Sequence, residues 1–126
     1  MQTDFRLLEL FLPEGILDYF EIVNFETVAS NQNIYTKILT LHLEEKKIVP
    51  DEYSSQKIKA CGFMPVREID DYPIRDMLVK LSIKRRRWEV DIDGKKQKVS
   101  RNWNIISKGT RMSEEYSSFL KEISRL

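Results

Sequence analysis

The chain has 126 residues, of which 41% are hydrophobic and 33% are charged, a composition typical of a soluble globular domain. No apolar run is long enough to cross a bilayer, the N-terminus lacks the positive start of a signal peptide, and the single cysteine, Cys61, cannot form an internal disulfide. We therefore expect one cytoplasmic domain over residues 1–126.

The formal net charge of +1 hides a strong separation of charge along the chain. Residues 73–111 contain twelve Lys or Arg against four Asp or Glu, a net charge of +8. Residues 1–72 form an acidic half, with seven bases and thirteen acids and a net charge of −6. Such a separation predicts an oriented field whose basic end attracts polyanions, so nucleic acid is the first partner to consider.

The first half of the chain predicts a short helix followed by a β-hairpin. Residues 4–12 favour a helix that Pro13 and Gly15 end. Residues 18–27 and 34–43 are rich in β-branched and aromatic residues and flank a polar turn, which indicates two paired strands. Residues 44–60 are polar and ambiguous, with a short helix favoured after Pro50.

In the second half, alternation predicts a strand whose apolar positions change parity. Val79, Leu81 and Ile83 are odd-numbered, whereas Trp88 and Val90 are even-numbered. Because side chains alternate between faces with a period of two, one regular strand cannot keep both sets on one face. We therefore expect a bulge, a twist or a change of neighbour within residues 85–87.

Asp93 and Gly94 form a strong signal for a two-residue hairpin turn, with a return strand over residues 96–106. One register pairs Trp88 with Val99, and a shift of the turn by one residue pairs Trp88 with Arg101 instead. In either register Lys84, Arg86 and Trp88 share a face with Arg101 and Trp103. A three-residue loop would break this grouping.

The C-terminal segment predicts an amphipathic helix over residues 112–126. Ser113 suits the N-cap, and Tyr116, Phe119, Leu120 and Ile123 form one apolar stripe. We therefore expect the α+β class, with antiparallel β-hairpins, a short N-terminal helix and a C-terminal amphipathic helix.

Cations interleaved with tryptophans on a two-stranded ribbon suit nucleic acid, because cations neutralise phosphates and flat rings stack on bases. The candidate binding residues are Lys84, Arg85, Arg86, Arg87, Trp88, Arg101, Trp103, Lys108 and Arg111. A structural interpretation stays open beside this one. In it the basic residues form a solvated strand edge, and the tryptophans belong to the core with arginines packed over them.

Catalytic and metal chemistry has weaker support in the sequence. His42 is the only histidine, Cys61 has no second cysteine at zinc-site spacing, and residues 91–94 lack most ligands of a calcium loop. The acids Glu68, Asp70 and Asp71 are interpreted as a solvated loop before Pro73. We expect no enzymatic activity, no cofactor and no metal site.

The order of motifs nevertheless resembles the N-terminal region of bacterial insertion-sequence transposases of the ISAon type. The resemblance runs over residues 7–125, and its most specific parts are YPIR (72–75), KRRRW (84–88), SRNW (100–103) and GTRM (109–112). A more distant resemblance links residues 71–88 to the zinc-ribbon heads of ISL-group transposases. Here Cys61 stands alone and Trp88 falls where a metal-binding cysteine is expected, so apolar packing would replace the metal.

This resemblance implies a non-catalytic module of the transposition machinery, accompanied by a separately encoded catalytic subunit. We expect binding to duplex DNA, with transposon ends as the candidate target, through the basic hairpin. The alternatives are a protein–protein module that docks on the catalytic subunit or on the acidic half of a second copy, and an orphan remnant without activity.

Overall fold

The fold is taken from a computed structural model of the chain, which describes residues 6–12, 15–31 and 34–101. Two short helical elements precede the strands, a four-residue helix α1 (Arg6–Glu9) and a 3-10 turn (Ile16–Asp18). A second 3-10 turn (Asp51–Tyr53) follows the second strand. Seven strands are seen in the described residues: β1 (Phe20–Ala29), β2 (Lys37–Glu45), β3 (Lys57–Phe63), β4 (Arg67–Ile74), β5 (Met77–Lys84), β6 (Arg86–Ile92) and β7 (Lys95–Val99). They form a four-stranded sheet in the order β1-β2-β5-β4 and a three-stranded sheet in the order β3-β6-β7.

One long, bent hairpin connects the two sheets. Its first arm runs through β3 and β4 and its second through β5 and β6, and the arms pair antiparallel in both sheets. The first arm leaves the three-stranded sheet over residues 64–66, whereas Arg85 alone separates β5 from β6. The backbone N–H of Met64 donates to the carbonyl of Arg85 at 2.8 Å, which keeps the arms together at the bend. The predicted change of parity at residues 85–87 is therefore confirmed as a change of sheet.

The hairpin β1–β2 completes the four-stranded sheet. β1 pairs antiparallel with β2, as predicted, and a bulge at Val23 interrupts the register. β2 pairs with β5 in parallel, a pairing that the prediction of antiparallel hairpins did not include. A hydrogen bond from the Thr36 hydroxyl to the Asp76 carboxylate, 2.8 Å long, links the start of β2 to the turn that precedes β5.

The main core lies on one face of the four-stranded sheet. Alternate residues of the two central strands, β2 and β5, point to this face and are almost fully buried: Leu39, Leu41, Leu43, Val79, Leu81 and Ile83. Ile16 from the 3-10 turn, Phe20 and Ile22 from β1, and Ile69 from β4 belong to the same cluster. Each such side chain contributes about 1.5–3 kcal/mol when it is fully buried, so this face accounts for much of the stability.

Two segments differ in part from the prediction. In the region 44–60, the short helix expected after Pro50 is present as the 3-10 turn Asp51–Tyr53, but the region also contains the start of β3. The acids Glu68, Asp70 and Asp71 lie on β4 and not in a loop. Polar and apolar residues alternate over only a few positions of each strand, which hid both strands in the sequence. The C-terminal helix predicted over residues 112–126 lies outside the described residues. The described part is mostly β, and α+β stays a prediction.

The turn between β6 and β7 agrees with the prediction. Asp93 and Gly94 both have positive φ, at 52° and 79°, as a type I′ turn requires. Trp88 pairs with Val99, which is the first of the two registers considered from the sequence. Within the described residues the return strand covers Lys95–Val99, shorter than the predicted 96–106.

Candidate nucleic-acid interface

Glu45 occupies the junction between the two sheets and organises the arginines around it. Its side chain is 1% exposed, at the end of β2. One carboxylate oxygen accepts the backbone N–H of Arg86 at 2.9 Å, and the other accepts Nε of Arg101 at 3.3 Å. The carboxylate therefore links β2 to the first residue of β6 and to the chain beyond β7.

The side chains of Arg86 and Arg101 are further held by carbonyl groups and aromatic rings. Arg86 Nε donates to the backbone carbonyl of Glu45 at 2.9 Å, and its guanidinium lies 4.8 Å from the ring centre of Phe63. Arg101 donates to the carbonyl of Ile48 and lies 4.9 Å from the ring centre of Tyr19. We call Glu45, Arg85, Arg86 and Arg101 the junction cluster.

Burial dominates the electrostatics of the junction cluster. It raises the pKa of the Glu45 carboxyl, an effect that the hydrogen bond from the Arg86 backbone and the charge of Arg101 partly offset. It lowers the pKa of the Arg85 guanidinium, while the carboxylate of Glu45 acts in the opposite direction. Mutual attraction therefore compensates only part of the cost of removing these charges from water.

Trp88 belongs to the interior of the molecule. It is 1% exposed and lies with Val90 on one face of the three-stranded sheet. Its indole N–H donates to no acceptor in the part of the chain that the structure describes. In this position the ring cannot stack on a base without leaving the core.

The opposite face of the three-stranded sheet carries the accessible positive charge. Strand pairing aligns Lys57 with Asp91 and Lys96, and aligns Lys59 with Glu89 and Lys98. Neighbouring positions on one strand and one face are about 6.7 Å apart, and the two outer strands are about 10 Å apart. With Arg87, these side chains define the lysine face, which consists of Lys57, Lys59, Arg87, Lys96 and Lys98 around two acids, a net charge of +3.

Ion pairs within the lysine face are long, and their lysines are exposed while the shared Glu89 is 19% exposed. Glu89 lies 3.6 Å from Nζ of Lys59 and 3.8 Å from Nζ of Lys96, whose side chains are 69% and 72% exposed. Exposed pairs of this kind contribute about 0–1 kcal/mol, so the lysines can leave them at little cost. A shallow cavity of about 250 Å³ lies over the same residues.

The predicted binding residues thus separate into distinct groups. Arg85, Trp88 and Arg101 are buried, and Arg86 is half-buried and bound to Glu45, so their positions do not match the predicted contacts with phosphates or bases. Lys84 is exposed but lies on the four-stranded sheet, 3.9 Å from Glu44. Only Arg87 lies on the lysine face. Trp103, Lys108 and Arg111 are outside the described residues.

Sequence reasoning missed four of the five residues of the lysine face. Lys96 and Lys98 belong to the basic stretch of residues 73–111, but the predicted binding face of the hairpin was the opposite one, which carries Trp88. Lys57 and Lys59 lie on β3, which was not predicted. The alternation of Lys57-Ile58-Lys59-Ala60 was the available signal, since it places both lysines on one face of a strand.

Other candidate chemistry has little support in the structure. His42 lies on the four-stranded sheet, and its Nε2 is 3.1 Å from the carboxylate of Glu26. Among the described residues no group of three or more His, Cys, Asp or Glu side chains is arranged to hold a metal ion. The helices found in that same part of the chain are too short and too polar to span a membrane. Cys61 is half-buried with a free thiol.

Comparison of the chain with models of known protein families, with curated proteins and with solved structures finds no match.

Proposed function

We propose that the chain is a non-catalytic, cytoplasmic nucleic-acid-binding module that holds duplex DNA on its lysine face. One observation carries this proposal: five cations and only two acids lie on the same face of the three-stranded sheet. Lysines on two strands about 10 Å apart can contact several phosphates together, and each contact releases counterions from the nucleic acid.

The composition of the lysine face favours phosphate contacts over base recognition. Among the residues that the structure describes, no aromatic side chain lies between its cations, because Trp88 points to the other side of the sheet. Single-strand binders depend on aromatic rings that stack with bases, whereas phosphate contacts alone carry no sequence information. We therefore expect a preference for duplex over single strand and a weak dependence on sequence.

Fluorescence anisotropy of labelled duplexes over a series of salt concentrations tests the proposal. The wild-type chain should bind with an affinity that decreases steeply as salt increases. Each lost phosphate contact reduces the log–log salt slope by about 0.9, so Lys96→Gln/Lys98→Gln and Lys57→Gln/Lys59→Gln should each reduce it by about 1.8.

A matched control is available on the other sheet. The variant Lys80→Gln/Lys84→Gln removes the same number of charges from the four-stranded sheet, where both lysines lie near acids. Its salt slope should equal that of the wild type. Equal losses in all three double variants would indicate a general effect of net charge and would contradict a localised interface.

The resemblance to transposase N-terminal regions makes transposon ends the first duplex to test, beside a scrambled duplex. If the end sequence binds more tightly, groups other than the lysine face must read it, and Trp103, Lys108 and Arg111 are the remaining predicted candidates. If both duplexes bind equally, the module contributes general affinity for DNA.

A second candidate is docking of the lysine face on an acidic surface of a separately encoded catalytic subunit. The acids Glu89 and Asp91 between the lysines favour this alternative, because a largely acidic protein surface can still place a cation opposite each of them, whereas a polyanion cannot. Co-purification of the two proteins after nuclease treatment would support it, and the double variants should then lose that association.

A further inference from the structure

The charges of the lysine face form parallel rows, one on each strand of the three-stranded sheet. The outer rows on β3 and β7 each contain two exposed lysines, and the middle row on β6 contains two acids. In order across the sheet, the members are Lys57 and Lys59, then Asp91 and Glu89, then Lys96 and Lys98. Arg87 continues the middle row beyond these pairs, toward the junction cluster. A phosphate strand along the middle row would therefore meet both acids, whereas one along an outer row would meet lysines.

Two lysines from opposite outer rows share one carboxylate of the middle row. Nζ of Lys59 and Nζ of Lys96 lie 3.6 Å and 3.8 Å from the same oxygen of Glu89, Oε1. Because such pairs are weak when the lysines are exposed, phosphate groups can attract both lysines away from Glu89. The two rows of lysines then turn toward phosphates on either side, and the acids are left between them.

The separation of the outer rows suits the two backbones that border a minor groove. The rows are about 10 Å apart. A minor groove about 6 Å wide between phosphate surfaces has phosphate centres about 12 Å apart, and a major groove about 12 Å wide has centres about 18 Å apart. Lysines that stand nearly upright on the sheet reach the first distance, whereas the second requires each row to lean outward by about 4 Å.

We infer that the lysine face straddles a minor groove, with one row of lysines on each backbone and with Glu89 and Asp91 over the groove between them. This inference rests on the proposed binding of duplex DNA, and it adds which groove is bound and which residues discriminate between duplexes. In this position both acids lie away from the phosphates, so a face with acids at its centre can still hold a polyanion.

The position of the acids predicts a preference among duplexes. A-tracts have a narrow minor groove with an enhanced negative potential, which attracts cations and repels carboxylates placed over it. The flexible stems of the lysines let them follow a groove of either width, so the potential at the acids decides the preference. We therefore expect the chain to bind an A-tract duplex about three- to tenfold more weakly than a G·C-rich duplex of equal length.

Fluorescence anisotropy of the purified chain with these two duplexes at low salt tests the inference. The wild type should bind the G·C-rich duplex more tightly. Equal affinities, or tighter binding to the A-tract, would overturn the inference while leaving the proposed DNA binding in place. Failure to bind either duplex would overturn the proposed function, and the inference with it.

A third duplex identifies the groove. Replacing guanine with inosine in the G·C-rich duplex removes the N2 amino group, which is the hydrogen-bond donor of the minor groove, and leaves the major-groove edges unchanged. Loss of this partly positive group makes the minor groove more negative, so the wild type should bind the inosine duplex more weakly than the G·C-rich one. Equal affinity for the two would overturn the assignment to the minor groove.

The variant Glu89→Gln/Asp91→Asn tests the role of the acids. It should bind the A-tract as tightly as the G·C-rich duplex or more tightly, because the middle row then retains only the cation of Arg87 among its charges in the described residues. Glu68→Gln/Asp70→Asn is the matched control, since it removes two exposed acids from β4 of the other sheet. The control should raise both affinities equally and keep the wild-type ratio. The same change of ratio in both variants, or no change in the first, would overturn the role of Glu89 and Asp91. Circular dichroism establishes that both variants are folded.

Discussion

The junction cluster and the lysine face come from overlapping parts of one basic segment, yet they differ in almost every physical respect. Arg85 and Arg101 are buried beside the carboxylate of Glu45, whereas Lys96 and Lys98 extend into solvent. Arginine suits the first environment because its planar group offers several donors to carbonyls, carboxylates and rings. Lysine suits the second, because its compact, hydrated charge can exchange one partner for another at low cost.

This difference shows that charge counted along a sequence does not measure charge on a surface. A net charge of +8 over residues 73–111 suggests one large basic patch. Within the described residues, three arginines of this segment, Arg85, Arg86 and Arg101, lie in the junction cluster. The lysine face includes two residues from outside the segment, Lys57 and Lys59 of β3. The following variants test whether the two groups are as separate as their environments indicate.

Removing the carboxylate at the junction should have the largest effect. Glu45→Ala removes the buried carboxylate that accepts Nε of Arg101 and attracts Arg85, and breaking a buried ion pair in this way commonly costs about 3–5 kcal/mol. The free energy of unfolding in urea measures the loss. Glu44→Ala is the matched control, since it removes a neighbouring glutamate whose ion pair with Lys84 is 3.9 Å long, and it should cost less than about 1 kcal/mol. Similar losses in both variants would contradict the assignment of Glu45.

A crossed pair of variants compares the two regions directly. Arg101→Ala should lower the free energy of unfolding by about 2–4 kcal/mol, because it removes the partner of a buried carboxylate, and should leave the DNA salt slope unchanged. Lys98→Ala should change stability by less than about 0.5 kcal/mol and reduce that slope by about 0.9. Urea titration and anisotropy on both proteins give the four values. A slope that decreases in folded Arg101→Ala would mean that the two regions act together.

The dependence of stability on pH gives a smaller and subtler test. Burial raises the pKa of Glu45 above its usual 4.5 in the folded protein, so the folded state binds a proton more readily than the unfolded state does. Stability relative to Glu45→Gln should therefore decrease as pH rises from about 4.5 through the higher folded pKa. Urea titrations of both proteins at several pH values measure this difference. The raised pKa of Asp71 is common to both proteins and cancels. A difference that grows with pH would mean that the arginines outweigh the burial of Glu45.

Local patterns predicted those parts of the fold that local physics determines. The Asp93-Gly94 turn followed from the need for positive φ, and an irregularity at residues 85–87 followed from the period of two in a strand, although a bulge, a twist and a change of neighbour all fitted the pattern. The parallel pairing of β2 with β5 did not follow, because it joins segments about 40 residues apart and has no local signal. The structural roles of Arg86 and Arg101 had no local signal either. Glu45, whose carboxylate accepts hydrogen bonds from both residues, lies 41 residues before Arg86 and 56 before Arg101.

The bent hairpin has a consequence for how the molecule can be divided. Each sheet takes half of the same two arms, so removing either sheet cuts both arms and deprives the other sheet of strand partners. No truncation between Lys57 and Ile92 can therefore isolate one sheet intact. We expect the two sheets to lose their structure in a single cooperative transition, with DNA affinity and the core of the four-stranded sheet disappearing together.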